Sequence, residues 1–318
     1  MPHEYCKIDG PVSVSFCVGR RLRYLPDDNH LVEITCRVIQ RRFLLRPSPS
    51  LNAIIIGALA RFQKRYKMRI CGLIYLSNHC HLLLRPYSVE QLASFMRDVN
   101  SKIVREAGRL HGWQEKLWGR RYTAIVTSHE PEAQIARLRY LLEQGCKEGL
   151  VASPRHWPGV SSTRALCSGE DLEGVWIDRT EQFRAGERGE PNPDARFTSL
   201  HRLELSPLPC WDELTPTQYQ TRIRAMVREI EAQMEGVQVL GKQAIFEQDP
   251  HDRPASTPHR TPAPRFHALA PQVRRTLEIG YHLFRRAYFQ ASAEWRAGKP
   301  CAFPAGCFAP GRLVPLRI

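Results

Sequence analysis

Two apolar runs separated by only two polar residues restrict the folds open to this chain of 318 residues. The runs span residues 70–76 and 79–85, and the short polar pair Ser77-Asn78 between them predicts a β-hairpin. Residues 30–39 are rich in β-branched side chains and predict a strand before the hairpin. Residues 122–127 predict a further short strand after it.

Helical patterns alternate with these strands. Ser48 or Ser50 can cap a helix whose apolar stripe ends at Tyr66, since the apolar residues recur at helical spacing. Residues 88–107 and 130–148 predict two more helices. The resulting order is β-α-β-β-α-β-α. Its first six elements match a ferredoxin-like unit, an α+β fold with an antiparallel sheet and helices on one face.

The composition changes after Trp157, which predicts a second part of different character. We expect one domain over residues 1–176, a polar linker over 177–207, and a mostly helical and irregular C-terminal extension over 208–318. Two long helices are predicted there, one starting at Pro216 and one over residues 271–298. Five prolines between them predict an extended, poorly ordered segment over residues 250–264.

The net charge indicates the kind of partner. Lys and Arg total 46 against 32 Asp and Glu, so the net charge is +14 and a polyanion is expected, nucleic acid before anionic membrane. No apolar run approaches the roughly 18 residues of a membrane helix, and the first ten residues carry charges where a signal peptide is apolar. The 10 cysteines form no CxxC pair, so we expect reduced thiols and a cytoplasmic protein.

The basic residues are concentrated where acidic ones are missing. No Asp or Glu occurs from Ile34 to Val89, a stretch that holds ten Lys and Arg residues. We expect this stretch to form a phosphate-binding surface, with Tyr66, Trp118 and Tyr122 available to stack unpaired bases. A solvated basic face kept for solubility explains the same pattern.

The sequence His79-Cys80-His81 is the first candidate for chemistry. Side chains alternate along a strand, so His79, His81 and Arg85 share one face while Cys80 points into the core. Two imidazoles two residues apart on one face can hold one divalent cation. A purely structural histidine pair fits the same three residues.

The second candidate is Tyr140. Gln144 follows it by four residues, so the two are neighbours on one helical face, flanked by Arg137 and Lys147. The positive charges should favour the phenolate, which is a nucleophile. A half-buried structural tyrosine is the alternative. Tyr122 is the competing nucleophile and ranks second, because no amide lies one helical turn away from it.

Four segments together carry a resemblance to the HUH single-tyrosine transposases, most closely to the branch associated with REP sequences. They are LSNHCHLLLRP (76–86), LWGRRYTAIV (117–126), RYLLEQGCKEGLV (139–151) and RHWPGVSS (155–162), in the family's order and spacing. The resemblance covers about residues 25–165. Two departures are visible: Gly145-Cys146 follows the amide where the family commonly has a proline-containing segment, and Ser77 stands where proline is usual.

The resemblance implies a metal-assisted enzyme that cleaves and rejoins single-stranded DNA at hairpins or palindromic repeats, with no membrane partner. Tyr140 would form a 5′-phosphotyrosine, and His79, His81 and Gln144 would hold Mg²⁺ or Mn²⁺. The state of assembly, monomer or homodimer, stays open. The candidates for DNA contact are Arg41, Arg42, Arg61, Lys64, Arg65, Lys67, Arg69, Arg120 and Arg121.

Three other functions remain compatible with these features. The chain could be a transposase derivative that binds palindromic DNA without cutting it, or one that binds structured RNA. It could also be a metal-dependent hydrolase, although such sites need further carboxylate or histidine ligands that the segment after His81 lacks. Binding alone requires neither the histidine pair nor Tyr140, which favours the enzyme.

Overall fold

The structure is a computed structural model that describes residues 22–27, 30–255 and 263–307. Among the described residues, five strands form one sheet and two form a separate two-stranded sheet. The strands are β1 (Leu31–Arg37), β2 (Arg69–Leu76), β3 (His79–Arg85), β4 (Thr123–Thr127), β5 (Leu172–Ile177), β6 (Thr198–Leu203) and β7 (Phe266–His267). The helices are α1 (Pro49–Tyr66), α2 (Val89–His111), α3 (Pro131–Leu142), α4 (Gln144–Lys147), α5 (Thr163–Ser168), α6 (Arg179–Glu187), α7 (Pro216–Gln233), α8 (Lys242–Glu247) and α9 (Pro271–Arg296).

The five-stranded sheet has the order β2-β3-β1-β4-β7. Its first four strands pair antiparallel in the ferredoxin-like arrangement, which confirms the predicted fold class. The predicted hairpin is present, with Ser77 and Asn78 as the turn and Leu76 directly opposite His79. In the neighbouring pairing Arg37 lies opposite His79 and Thr35 opposite His81, so both histidines sit where β1 ends.

One face of the sheet is covered by α1 and α2, the two helices of the ferredoxin-like unit. Ser48 and Ser88 cap them by accepting hydrogen bonds from the backbone NH groups of Leu51 and Gln91. Alternate strand residues, including Cys80, enter this core. The predicted placement of both helices on one face is therefore correct.

The opposite face of the sheet is covered as well, whereas the sequence predicted helices on one face only. There α3 packs on β2, β3 and β4, and α7 packs behind it in a second apolar cluster. The bidentate ion pair between Arg85 of β3 and Asp212, at 2.6 and 2.7 Å, joins the sheet to the residues before α7.

The prediction of a linker over residues 177–207 is wrong. This segment contains α6 and β6, and β6 pairs with β5 into a two-stranded sheet that packs against α1. Its polar composition reflects an exposed outer face, while Leu203 and Ala185 are buried and anchor it to the protein. Polarity thus marked a solvent-facing layer and not an unstructured connection.

The C-terminal extension is mostly helical, as predicted, and it also completes the sheet. Strand β7 pairs with β4 in parallel, and α9 follows it directly. Prolines were expected to leave residues 250–264 poorly ordered. Within that segment residues 256–262 lie outside the described residues, whereas Arg42 donates to the carbonyl of His251 and Phe43 NH donates to that of Asp252. None of the helices that the structure describes is both long and apolar enough to cross a membrane.

Two facing glycines allow β5 to approach α1 closely. A Cβ on Gly57 would overlap the backbone of Val175, and a Cβ on Gly174 would overlap the backbone of α1. We expect Gly57→Ala to lower the free energy of unfolding by about 1–3 kcal/mol, because rigid backbone must move apart. Gly280→Ala in α9 is the matched control, since its Cβ meets only the Tyr24 hydroxyl at 3.5 Å.

The control should be neutral or stabilising by up to about 1 kcal/mol, because alanine favours a helix over glycine. Urea denaturation of both variants measures the difference. Equal stability of the Gly57→Ala protein and the original would contradict the close packing of β5 on α1.

Candidate active site

The two histidines lie on one face of β3, as the strand alternation predicted. Their ring centroids are 5.2 Å apart and the rings are close to perpendicular. His81 is only 4% exposed, whereas His79 at the start of the strand is partly exposed. Cys80 is fully buried in the core on the other face. The thiol is therefore kept away from any ion bound by the histidines.

Each histidine has one ring nitrogen engaged by a neighbouring side chain. Nδ1 of His81 lies 2.8 Å from Oε1 of Glu33 and 3.3 Å from Oγ1 of Thr35. Nδ1 of His79 lies 2.7 Å from Oδ1 of Asn78. The Nε2 atom of each ring can therefore face a metal ion, as in metal-binding histidines that a carboxylate or amide orients from behind.

Tyr140 faces the histidines from α3. Its ring packs edge-on against that of His81 with centroids 5.7 Å apart. The Arg137 guanidinium and the Lys147 ammonium lie 4.6 and 4.5 Å from the ring centroid. Tyr140, the two histidines and both cations thus meet at one place, as the helical spacing and the strand alternation predicted separately.

Gln144 connects the tyrosine and the histidines. It is 2% exposed, and its amide donates to the carbonyl of Tyr140 at 2.9 Å. The same side chain raises the pKa of His79 and lowers that of Tyr140 in part, so it acts on both groups. The predicted single helix is broken at Glu143 into α3 and α4, and Gln144 begins α4. The break leaves Gln144 one turn beyond Tyr140.

Glu33 is a residue of this site that the sequence analysis missed. Its second oxygen, Oε2, accepts a hydrogen bond of 2.9 Å from Nη1 of Arg137, so one buried carboxylate joins His81 to α3. Burial opposes its ionisation, but His81 and Arg137 outweigh burial and lower the pKa of Glu33. A lone acid inside an otherwise apolar predicted strand is the signal that could have identified it.

The electrostatics keep His79 neutral. Burial, followed by the charges of His81, Arg37 and Arg41, lowers the pKa of His79 to about 3. A neutral imidazole is the form that binds a metal. Arg41 reaches this position from a turn in which Gln40 and Arg41 both adopt left-handed backbone conformations, with φ of 53° and 61°.

The expectation that nearby cations favour the Tyr140 phenolate is wrong for this structure. Burial and the negative charge of Glu33 raise the pKa of Tyr140, and Arg137 and Gln144 offset them only in part. The sequence showed the basic neighbours in the helix, but it did not show the carboxylate brought against them by β1. The hydroxyl is therefore protonated until a reaction removes its proton.

The other aromatic candidates do not face the histidines. Tyr122 packs against the core on the α1 and α2 side, and its hydroxyl is buried without a hydrogen-bond partner among the described residues. Trp118 is 9% exposed and donates to the carbonyl of Asn100 at 3.4 Å, so it is a core residue and cannot stack a base. Tyr66 donates to Asp98 at the end of α1.

The structure divides the basic residues into two groups. The charge of Arg41 lowers the pKa of His79, so Arg41 lies near it. Arg120 and Arg121 come directly after Gly119. The NH of Gly119 donates to the carbonyl of Arg37 at the end of β1. These three candidates lie at the histidine end of the sheet. Arg37, opposite His79 in the ladder, belongs with them and was missed as a site residue, although it stands in the basic stretch.

The remaining candidates lie elsewhere. Arg61, Lys64 and Arg65 are on α1, which covers the face opposite the histidines. Lys67 ends α1, and Arg69 begins β2, about 23 Å along the strand from its histidine end at roughly 3.3 Å per residue. The guanidinium of Arg42 lies 5.3 Å from the Trp113 ring and binds the extension. The basic residues of this stretch therefore do not form one continuous surface in the fold.

Two histidines of an antiparallel sheet beneath a helical tyrosine are typical of one class, the HUH single-tyrosine transposases, and this part of the chain resembles that class. Residues 28–144 match the model for the family described as Transposase IS200 like. This part of the chain is therefore similar to the IS200-like transposases, in agreement with the resemblance seen in the sequence. No curated protein matches the chain significantly.

Two solved structures are similar to parts of the chain. One is the structure of a REP-associated tyrosine transposase bound to a REP hairpin, with 17% identity and a TM-score of 0.40, covering 48% of this chain and 86% of that one. The other is a Deinococcus radiodurans R1 protein described as a transposase, with 16% identity and a TM-score of 0.27, covering 34% and 86%. The similarity to the IS200-like transposases rests on the family model over residues 28–144.

The lowered pKa of His79 predicts how stability depends on pH. The folded protein keeps His79 neutral, whereas in the unfolded chain this histidine is protonated below about pH 6.5. The free energy of unfolding is therefore unaffected by His79 above pH 6.5 and decreases as the pH falls from 6.5 toward 3. In metal-free buffer with a chelator, we expect His79→Asn to reduce this loss by at most about 1.4 kcal/mol per pH unit.

Urea unfolding at pH 7.5, 6.0 and 5.0 measures the effect. His282→Asn on the exposed side of α9 is the matched control and should keep the pH dependence of the original protein. An identical pH dependence in the His79→Asn protein would show that burial does not suppress protonation of this histidine.

Proposed function

We propose that this domain cleaves and rejoins single-stranded DNA at hairpin or palindromic repeats, with Tyr140 as the nucleophile that becomes linked to the 5′ phosphate. The single observation that carries the proposal is the contact of the Tyr140 ring with that of His81, with 5.7 Å between the ring centroids, beside the buried Gln144. A phosphate held beside the histidines would then lie next to the attacking oxygen. The choice of hairpins as substrate extends the sequence resemblance to the REP-associated branch.

The donor set fits a hard divalent ion. Two imidazole Nε2 atoms and one amide oxygen, with Cys80 on the far face, suit Mg²⁺ or Mn²⁺ better than a thiolate-rich zinc site would. His79, His81 and Gln144 would hold this ion, which when bound withdraws charge from the scissile phosphate as a Lewis acid. Glu33 and Asn78 hold the two rings in orientation from behind.

The chain's own residues account for the attack. The Tyr140 oxygen forms a bond to phosphorus and loses its proton, while the bond from phosphorus to the 3′ oxygen breaks and that oxygen leaves as a hydroxyl. The cations of Arg137 and Lys147 lie against the tyrosine ring, where they stabilise negative charge that develops on the phenol oxygen. Because the resting hydroxyl has a raised pKa, proton loss must accompany the attack.

The reaction conserves the phosphodiester energy in the tyrosine linkage. A 3′ hydroxyl, from the same strand or another, attacks the phosphotyrosine, rejoins the DNA and returns Tyr140 to its starting state. No nucleotide is consumed, which agrees with the absence of a GxxxxGK[ST] loop from the sequence.

The DNA backbone would be held by the basic residues at the histidine end of the sheet. We propose that Arg41, Arg120 and Arg121 take this role together with Arg37 and, across the site, Lys147. Their positions surround the end of β1, so phosphates on either side of the scissile bond can reach them. Such contacts position the strand without reading its sequence.

The first prediction from this proposal concerns the covalent intermediate. With a labelled single-stranded hairpin and Mn²⁺, the protein should form an adduct that resists SDS, and Tyr140→Phe should abolish it. Tyr122→Phe is the matched control and should retain the adduct, because that hydroxyl is on the other face of the sheet. An adduct that survives in Tyr140→Phe and disappears in Tyr122→Phe would reverse the assignment. Hairpin binding with no adduct in any protein would identify a non-catalytic binder.

The second prediction separates the two basic groups. Replacing Arg120 and Arg121 by Gln should lower the slope of log K against log salt by about 1.4, at roughly 0.7 per lost contact to single-stranded DNA. Replacing Lys64 and Arg65 by Gln removes the same charge from the opposite face and should leave the slope unchanged. Binding isotherms at four salt concentrations measure both slopes. A smaller slope for the Lys64 and Arg65 variant alone would place the DNA on the α1 face.

A further inference from the structure

We infer that Asp27, His30 and His129 form a second divalent-metal site, separate from the histidine pair of β3 and independent of the proposed transposition chemistry. We call it the Asp27 site. One ligand atom from each of the three residues lies within 4.8 Å of those from the other two. The family resemblance assigns no role to any of the three.

The geometry places one carboxylate between two imidazoles. Oδ1 of Asp27 is 2.7 Å from Nδ1 of His30, and Oδ2 is 3.0 Å from Nε2 of His129. The two rings lie 4.0 Å apart between centroids. Each nitrogen that faces the carboxylate carries a lone pair when it is deprotonated, so all three donors can turn to one ion that replaces the hydrogen-bonded protons.

The donors come from two segments that the sheet brings together. Asp27 and His30 precede β1, while His129 lies between β4 and α3. Leu31 and Thr127 are paired in the antiparallel ladder, which brings the residues just before β1 beside those just after β4. His30 is 3% exposed and therefore fixed, whereas Asp27 and His129 are about half exposed and leave the site open to solvent.

The ligand set indicates the class of ion. Two imidazole nitrogens and one carboxylate suit Zn²⁺, Co²⁺ or Fe²⁺, with water completing the coordination. The local charge favours a cation even though the chain carries a net charge of +14, because Asp27 supplies the negative charge and Glu130 lies next to His129 in the chain.

The Asp27 site is too distant to share an ion with the β3 histidines. Thr35, which is opposite His81, is five residues beyond His30 along β1, about 16 Å at roughly 3.3 Å per residue. An ion here would instead hold the loop before α3, the helix that carries Tyr140. Glu130 in the same loop accepts hydrogen bonds from the NH groups of Leu269 and Ala270 at the start of α9. The site therefore ties β1, α3 and α9 at one end of the sheet.

Metal binding by the whole chain, without a histidine tag, tests the inference. Equilibrium dialysis against Co²⁺ alone, followed by metal analysis and visible absorption spectra, gives the number of ions bound. We expect two per chain in the original protein and one in His129→Gln. Because His129 is about half exposed, this variant should fold normally, which circular dichroism checks. His282→Gln on exposed α9 is the matched control and should bind as the original protein does.

A second variant distinguishes this inference from the proposed function. His79→Ala should lose the other ion and retain the Asp27 site, and the double variant should bind none. One ion in the original protein that is lost only in His129→Gln would support the Asp27 site and count against the metal site of the β3 histidines. If His129→Gln bound as many ions as the original protein, the Asp27 site would not exist. Added Zn²⁺ should also raise the melting temperature of His79→Ala but not that of the double variant, which has no remaining site.

Discussion

The rest of the site depends on one buried carboxylate, Glu33, shared between His81 and Arg137. Burying a carboxylate is costly unless hydrogen bonds and opposite charge compensate it, and here both oxygens have partners. The same two contacts fix the ring of His81 on β3 and hold α3 above β1. The orientation of the metal-facing nitrogen and the position of the tyrosine helix are therefore set together. Burial and the same negative charge raise the pKa of Tyr140, so the arrangement that orders the site also holds this hydroxyl in its protonated form.

Strand alternation separates the chemistry from the core within a single sheet. Along β3 the residues that face α3 are His79, His81 and Arg85, while Cys80 and its alternates pack under α1 and α2. A metal site and a packed core can therefore share one strand without competing for the same volume. This separation also explains why basic residues on α1 cannot serve the histidine face, although they lie in the same acid-free stretch of sequence.

The C-terminal extension makes α3 a buried layer. Arg139 pairs with Glu229 of α7 at 2.5 Å, and Gln134 accepts a hydrogen bond of 3.0 Å from the NH of Cys210. At the edge of the sheet, β7 of the extension pairs with β4. The tyrosine helix is thus held between the sheet and the extension, with its position fixed from both sides. The extension contributes to the site through packing, and the residues that face the histidines come from the transposase domain.

The sequence by itself determined the four strands, the hairpin and the helices of the ferredoxin-like unit, and it placed His79 with His81, and Tyr140 with Gln144, on shared faces. Each of these follows from a short period, two along a strand or 3.6 along a helix, and such periods depend only on neighbouring residues. Tertiary structure alone decided that Glu33 meets Arg137, that the basic residues divide between two faces, and that Asp27 and His30 meet His129. These pairings join residues about 100 positions apart, so they are set by strand pairing and by which helix covers which face. Charge and composition indicate neither the strand pairing nor the face that each helix covers. A basic residue has the same charge whichever face of the sheet it lies on.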